Sequence, residues 1–217
     1  MCSPTIEELA IADDPASWRA LGFAVAEDAC EIGSVRLRLL GRGAEHGILG
    51  WSLRGVASTE LDGLPTTLAG AGHKAPEVAP VHPNGVVSID HVVAMSPMLE
   101  RSIETLQRAG LDLRRIREEP TPAGAPRQAF FRLGAEILEV VQEPEDIVVR
   151  AGGPDRPAHF WGLALLVDDL EAACTHMAPH MGEPRAAVQP GRRIATLRRS
   201  AGLSVALALM SSAEEPG

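Results

Sequence analysis

Apolar and polar positions along the chain fall into short runs of two periods. One set forms short runs of strand type, some alternating and some continuously apolar: Ile6 to Ile11, Ser34 to Leu40, Ile48 to Leu53, Ile89 to Val93, Ala129 to Leu133, Ile137 to Val141, Phe160 to Val167, Arg193 to Leu197 and Leu203 to Met210. The other set repeats every three or four residues and predicts amphipathic helices. Its stripes are Trp18 and Leu21; Leu61, Leu64 and Leu68; Leu99, Ile103 and Leu106; and Leu170, Ala173, Cys174 and Met177. Each stripe follows a helix-start signal: Asp14 before Pro15, Thr59 with Asp62, Ser96 before Pro97, and the capping-box pair Asp168 and Glu171. Glycines stop the stripes, as at Gly22, Gly70 and Gly110.

Strand, cap and helix therefore recur four times, and the last two units are the longer. Units that each expose an apolar sheet face must bury it against one another. The expected class is α+β, built of repeated modules paired into a curved mixed sheet or cup, with an ordinary α+β sandwich as the alternative. Lys74 to Gly85, with Pro76, Pro80, Pro83 and the pair Asn84-Gly85, is the best boundary. Residues 1–80 are then shortened modules and 81–217 a domain of two fuller ones, about 86–142 and 158–211. The loop from Glu143 to Pro157 separates those two, and the tail from Ser211 is expected to fray.

The stretch Ile89-Asp90-His91-Val92-Val93 opens the third unit and Gly134-Ala135-Glu136-Ile137-Leu138-Glu139-Val140-Val141 closes it. Alternation gives each strand face one ionisable group, His91 on the first and Glu139 on the last. A lone charge on an apolar face is costly to bury unless paired or metal-bound. The order strand, helix, strand, strand, strand, with these two residues at its ends, resembles the vicinal-oxygen-chelate superfamily of glyoxalases, methylmalonyl-CoA epimerases, extradiol dioxygenases and bleomycin-resistance proteins. The run His82-Pro83-Asn84-Gly85-Val86-Val87 is similar to bacterial glyoxalase-like proteins.

That resemblance implies βαβββ modules forming a cup and His91 and Glu139 as ligands of one divalent metal such as Zn, Ni, Fe or Mn. It also implies two further ligands from a paired module. Sliding the fourth unit onto the third puts Gly162 opposite His91 and Ala206 opposite Glu139, and neither carries a donor. The first unit has Arg38 in the corresponding closing strand, and a guanidinium repels a cation. Two protein ligands are too few for a catalytic zinc, so a third would have to come from a loop, with His82 or His159 best placed. Without metal, His91 and Glu139 pair with each other across strands, or Glu139 pairs with Arg38. Glu139 is the candidate general base.

Arg38, Trp51, Phe130 and Trp161 are the candidate ligand-binding side chains, although aromatics on strands are more often core. The expected function is binding of a small organic molecule in a sheet-lined cup. The alternative is a metal-dependent lyase, isomerase or dioxygenase acting on vicinal oxygens, and an interaction surface is a third version.

Composition narrows this little further. A net charge of −9, aromatics at 3% and no Tyr argue against a nucleic-acid partner. Neither a glycine-rich phosphate loop nor a G-x-S-x-G elbow occurs. Cys2, Cys30 and Cys174 match no metal or disulfide spacing and read as reduced thiols. With no signal peptide and no membrane-length apolar run, the expectation is a cytoplasmic protein, monomer or homodimer, with a small-molecule partner.

Overall fold

The computed structural model describes residues 3–70, 80–121 and 124–213. Cys2, Gly72, most of the expected boundary segment and the end of the tail lie outside them.

Two sheets carry the chain. In the N-terminal one, β1 (Thr5–Ile11) leads into α1 (Pro15–Ala20), followed by β2 (Ala29–Ile32), β3 (Val35–Leu39), β4 (Ile48–Arg54) and β5 (Thr66–Leu68). Their order in the sheet is β2-β3-β1-β4-β5. Asp14 caps α1, its side chain accepting from the Ala16 amide at 2.7 Å.

The C-terminal sheet begins with β6 (Val86–Ser96), α2 (Leu99–Arg108), β7 (Asp112–Arg117), β8 (Gln128–Leu133) and β9 (Glu136–Gln142). After a short helix α3 (Glu145–Arg150) come β10 (His159–Val167), α4 (Leu170–His176), β11 (Arg185–Ala186), β12 (Arg193–Thr196) and β13 (Ala206–Ser211). Its eight strands run β11-β12-β13-β10-β6-β9-β8-β7. In each full module the opening strand lies parallel to the closing one, β6 to β9 and β10 to β13, while β6 and β10 meet antiparallel at the centre. The N-terminal sheet repeats the plan in brief, with β1 parallel to β3 and antiparallel to β4, and β4 parallel to β5. The architecture is therefore α+β, made of βαβββ modules.

Four expectations differ. Ser96 is not the N-cap of α2: it ends β6 and its hydroxyl accepts from the Met98 amide at 3.1 Å, so the helix starts at Leu99 with Met98 at the cap position. The stripe Leu61, Leu64 and Leu68 is not a helix. Leu61 and Leu64 are buried, but Leu68 is exposed on β5, and between them Asp62 and Gly63 take positive φ of 52° and 82°, which a right-handed helix cannot contain. The loop from Glu143 contains α3, whose start after Pro144 carries Glu145 and Asp146 and whose last turn carries Arg150, matching the helix dipole at both ends. Helix α4 is capped by Asp169 rather than Asp168, the Asp169 side chain accepting from the Ala172 amide at 3.0 Å.

One apolar core spans both sheets, from Leu9, Trp18 and Leu37 to Leu99, Phe131 and Leu165. Polar junctions lock the two parts together. Asp62 accepts from Arg101 Nε at 2.6 Å and from the Ser102 hydroxyl, and its carbonyl accepts from the Ala158 amide. On the other flank, buried Asp13 accepts from the Ser204 amide at 2.6 Å. No helix among the described residues is long and apolar enough to cross a membrane.

Histidine 82 belongs to this scaffold. Its Nδ1 accepts from the Ala24 amide and its Nε2 lies against the Glu31 carbonyl, both at 3.0 Å, which requires the neutral ring protonated on Nε2. Phe23 packs edge-on to it. Burial holds its pKa below the ordinary 6.5, the hydrogen bond to Glu31 only partly opposing. The native ring stays neutral where the unfolded one takes up a proton, so its contribution is full above about pH 6.5 and fades as pH falls toward the folded value. A His82→Gln variant is expected to lose about 1–2 kcal/mol at neutral pH. Its stability should vary less than the wild type's below about pH 6.5, as urea unfolding across a pH series would read.

Candidate functional site

The concave face of the larger sheet encloses a cavity of about 430 Å³, walled by Val93, Met95, Phe130, Val141, Trp161 and Met210. Alternation along β6, β8 and β9 directs these side chains inward. Trp161 arrives differently. The β10 ladder to β6 shifts register between Phe160 and Gly162, so Trp161 is the extra residue of a bulge and turns into the cup. Phe160 faces the other way, stacked edge-on against Trp51 at 5.0 Å.

On the apolar floor sit His91 and Glu139. His91 Nε2 lies 3.1 Å from Glu139 Oε2, and both residues are nearly buried, at 9% and 8% exposure. Glu139 also accepts from the Gln128 side-chain amide. Burial pushes the Glu139 carboxyl above its ordinary pKa, against the opposing pull of His91 and Gln128. On the far side of the ring, His91 Nδ1 is 2.8 Å from Asp90 Oδ2, and Asp90 Oδ1 accepts from Arg192 at 2.6 Å. Burial raises the Asp90 carboxyl, but the hydrogen bonds from His91 and Arg192 outweigh it and hold the pKa below the usual range. The result is a chain, Arg192 to Asp90 to His91 to Glu139 to Gln128, in which an imidazole stands between two carboxyl groups.

Asp90 reaches His91 because of a second irregularity in β6. The pairing moves from Ile89 with Leu165 to His91 with Ala164, which leaves Asp90 as the extra residue. Strict alternation assigns Asp90 to the opposite face, so this partner is missed from sequence, as are Gln128 and Arg192. Adjacency of Asp90 to His91 is the one signal that could have pointed to it.

The other candidate residues divide. Phe130 and Trp161 line the cup. Trp51 does not: it is 3% exposed in the core between the sheets, its Nε1 donating to Thr66 at 2.7 Å. Arg38 stands on β3 of the other sheet, 2.9 Å from Glu8, so it pairs with that carboxylate and not with Glu139. Neither spare histidine reaches the floor. His82 is held by Ala24 and Glu31, and His159 is half exposed, 3.8 Å from Glu143.

The opposing half of the floor is apolar. In the ladders, Val93 pairs with Glu139 as Ala164 pairs with Ala208, while Gly162 pairs with Ala206 and faces Val93. Gly162 thus stands in the place of His91, and Ala208, two residues beyond the expected Ala206, stands in the place of Glu139. Neither offers a donor. Among the described residues no group of three His, Cys, Asp or Glu is disposed to hold a metal ion. Two side-chain donors do not fit the three-ligand set of a resident catalytic ion.

A mixed sheet of paired βαβββ modules around a cup defines a fold class shared with known enzymes. The chain matches the model of the Glyoxalase/Bleomycin resistance protein/Dioxygenase superfamily over residues 88–202 and belongs to that superfamily. Over nearly its whole length, 98%, it superposes with a TM-score of 0.62 on a xylose isomerase-like TIM barrel/4-hydroxyphenylpyruvate dioxygenase fusion protein, at 13% identity and covering 49% of that chain. A triple mutant of 4-hydroxymandelate synthase from Streptomyces coelicolor gives the same TM-score of 0.62 and 13% identity, with coverage of 100% of this chain and 95% of that one. Methylmalonyl-CoA epimerase from Mycobacterium tuberculosis is 21% identical, with a TM-score of 0.49 over 60% of this chain and 91% of its own. No curated protein sequence matches significantly.

Proposed function

We propose that the chain binds a small organic molecule in the cup and that the His91–Glu139 pair is the polar group it meets. The observation that carries this reading is one close acid–imidazole pair at 3.1 Å, set among mainly apolar walls in a cavity of about 430 Å³. Small-molecule sites have this size and this mix of apolar wall and few convergent polar groups. Burial raises the Glu139 pKa, the direction of shift that suits a carboxyl to general acid or base work. Asp90 fixes the orientation of the imidazole and favours a proton on Nδ1. If the bound molecule is also transformed, Glu139 is the group that moves the proton.

A metal-dependent lyase, isomerase or dioxygenase is the second reading, favoured by one detail. A carboxylate on the outer nitrogen of His91 is the partner that metal-ligating histidines usually have. The donor set is nonetheless short by at least one side chain, so no step is derived through a metal.

A fragment screen by ligand-observed NMR tests the binding reading. Hits are expected to bind the wild type and to lose about tenfold or more in affinity on His91→Ala or Glu139→Ala, the loss of one buried charge-assisted hydrogen bond. Absence of any hit that either substitution weakens would sink the proposal. Metal content of protein purified without chelators is expected to fall well below one Zn, Ni, Fe or Mn per chain. A stoichiometric ion that disappears with His91→Ala would transfer the site to the second reading. Deuterium incorporation into a bound molecule in heavy water, abolished by Glu139→Gln, would separate an enzyme from a binder.

A further inference from the structure

The cup continues past His91 into a second recess of about 280 Å³, and its lining changes character there. Three guanidinium groups, those of Arg115, Arg132 and Arg192, border it, and Asp90 is the acidic side chain among its lining residues. That carboxylate is already engaged by Arg192 and His91. Among the described residues neither Arg115 nor Arg132 has a carboxylate partner: Arg115 lies over the Phe130 ring at 4.9 Å, and Arg132 donates to the Ala135 carbonyl at 3.1 Å. Most other arginines of the chain with a close partner are matched to carboxylates, as in Arg36 with Glu31, Arg54 with Glu7 and Arg127 with Glu100 and Glu118.

On a chain of net charge −9, a recess with uncompensated positive charge is a local exception. The recess shares His91, Arg115, Phe130 and Gln189 with the larger cavity. Phe130 is the hinge of the arrangement, offering one surface to the apolar cup and supporting the Arg115 guanidinium next to it. A planar guanidinium held against a ring keeps its N–H fork available for a carboxylate or phosphate.

We propose that the molecule taken by the cup is an amphiphilic organic anion. Its apolar body lies against Val93, Phe130 and Trp161, and its carboxylate or phosphate head lies in the recess against Arg115 and Arg132, so that the atoms joining head to body pass over His91 and Glu139. This rests on the cup-binding reading above and adds the charge, polarity and direction of the occupant. It also gives Arg115 and Arg132 a role as specificity determinants, and neither residue touches the His91–Glu139 pair through any hydrogen bond.

Calorimetric titration with four eight-carbon probes tests it: octanoate, octyl phosphate, neutral octanamide and octylammonium. Octanoate or octyl phosphate is expected to bind at least about tenfold more tightly than octanamide, with octylammonium weakest, and the preference should shrink as salt is raised. Whichever anion binds better identifies the head group. Arg115→Gln and Arg132→Gln are each expected to weaken the anion about tenfold and octanamide by much less, with thermal unfolding showing that the variants are folded. If octanamide binds as tightly as octanoate and His91→Ala weakens both, the cup reading stands and the anion inference is overturned. If none of the four binds, both fall. An anion preference that survives in the Arg115→Gln, Arg132→Gln double variant would likewise overturn the assignment of the recess.

Discussion

An Asp13→Ala variant is expected to lose about 2–4 kcal/mol of stability, more than any surface change in the chain. Asp13 has no solvent exposure, and its carboxylate accepts from the indole N–H of Trp18 at 3.3 Å and from the Ser204 amide at 2.6 Å. Alanine leaves the buried indole N–H and the half-buried Ser204 amide without their acceptor, at about 1–3 kcal/mol for a buried donor and less for the other. It also opens a void beside Trp18, itself fully buried. The loss falls at a junction, since Ser204 in turn accepts from the Gly47 amide and donates to the Ala12 carbonyl, binding the loop before β13 to the N-terminal sheet. Asp13→Asn keeps an acceptor oxygen for one of the two donors and is expected to cost about half as much. Urea unfolding of the two variants beside the wild type reads the difference. Equal losses, or a loss below about 0.5 kcal/mol for alanine, would show that the junction is not formed as described.

Much of this scaffold is legible in the chain because its periods are unmixed. The strand runs stay apolar over five or more residues, and the stripe Leu99, Ile103 and Leu106 has no competing reading, so β6, β8 and β9 stand where the pattern puts them, and so does α2 except for its cap. Short segments fail for a physical reason. Leu61 and Leu64 are buried as a helical stripe would bury them, yet two leucines three apart also suit a turn that dips into the core. The signals that decide are Asp62, Gly63 and Pro65, whose backbone preferences exclude a continuous helix. Helix α3 is hidden for the opposite reason: it buries none of its residues, so no stripe marks it.

The candidate site shows the same division. His91 and Glu139 are visible as lone ionisable residues in apolar strands, and the structure brings them to 3.1 Å. Asp90 and Trp161 face the cup only because each strand carries one extra residue at a bulge. A bulge reverses the face of every residue beyond it, and nothing in the local composition announces it. Trp51 and Arg38 are misplaced by a different omission. The alternation of β4 and β3 is correct, but it cannot say that their sheet packs behind the cup instead of lining it.

The empty half of the donor set is expected to resist repair, and Gly162 shows why. A Cβ added there would lie 2.3 Å from the Ala206 carbonyl oxygen and 2.9 Å from its Cβ, on the strand at the middle of the eight-stranded sheet. The first contact is with backbone, so it is relieved only by moving β13 away from β10 and breaking part of their parallel ladder. Gly162→Ala is therefore expected to lose about 2–3 kcal/mol, and Gly162→His, which would restore an imidazole opposite His91, more than that without gaining metal affinity. Ala206→Gly should not rescue either variant, because the carbonyl stays. Thermal unfolding with amide exchange along β10 and β13 reads both effects. A stable Gly162→His variant that takes up one divalent ion per chain would mean that the strand can yield, and that the cup lacks only a side chain to become a metal site. A destabilised one would mean that close packing of β10 on β13 keeps a side-chain donor out of this half of the floor.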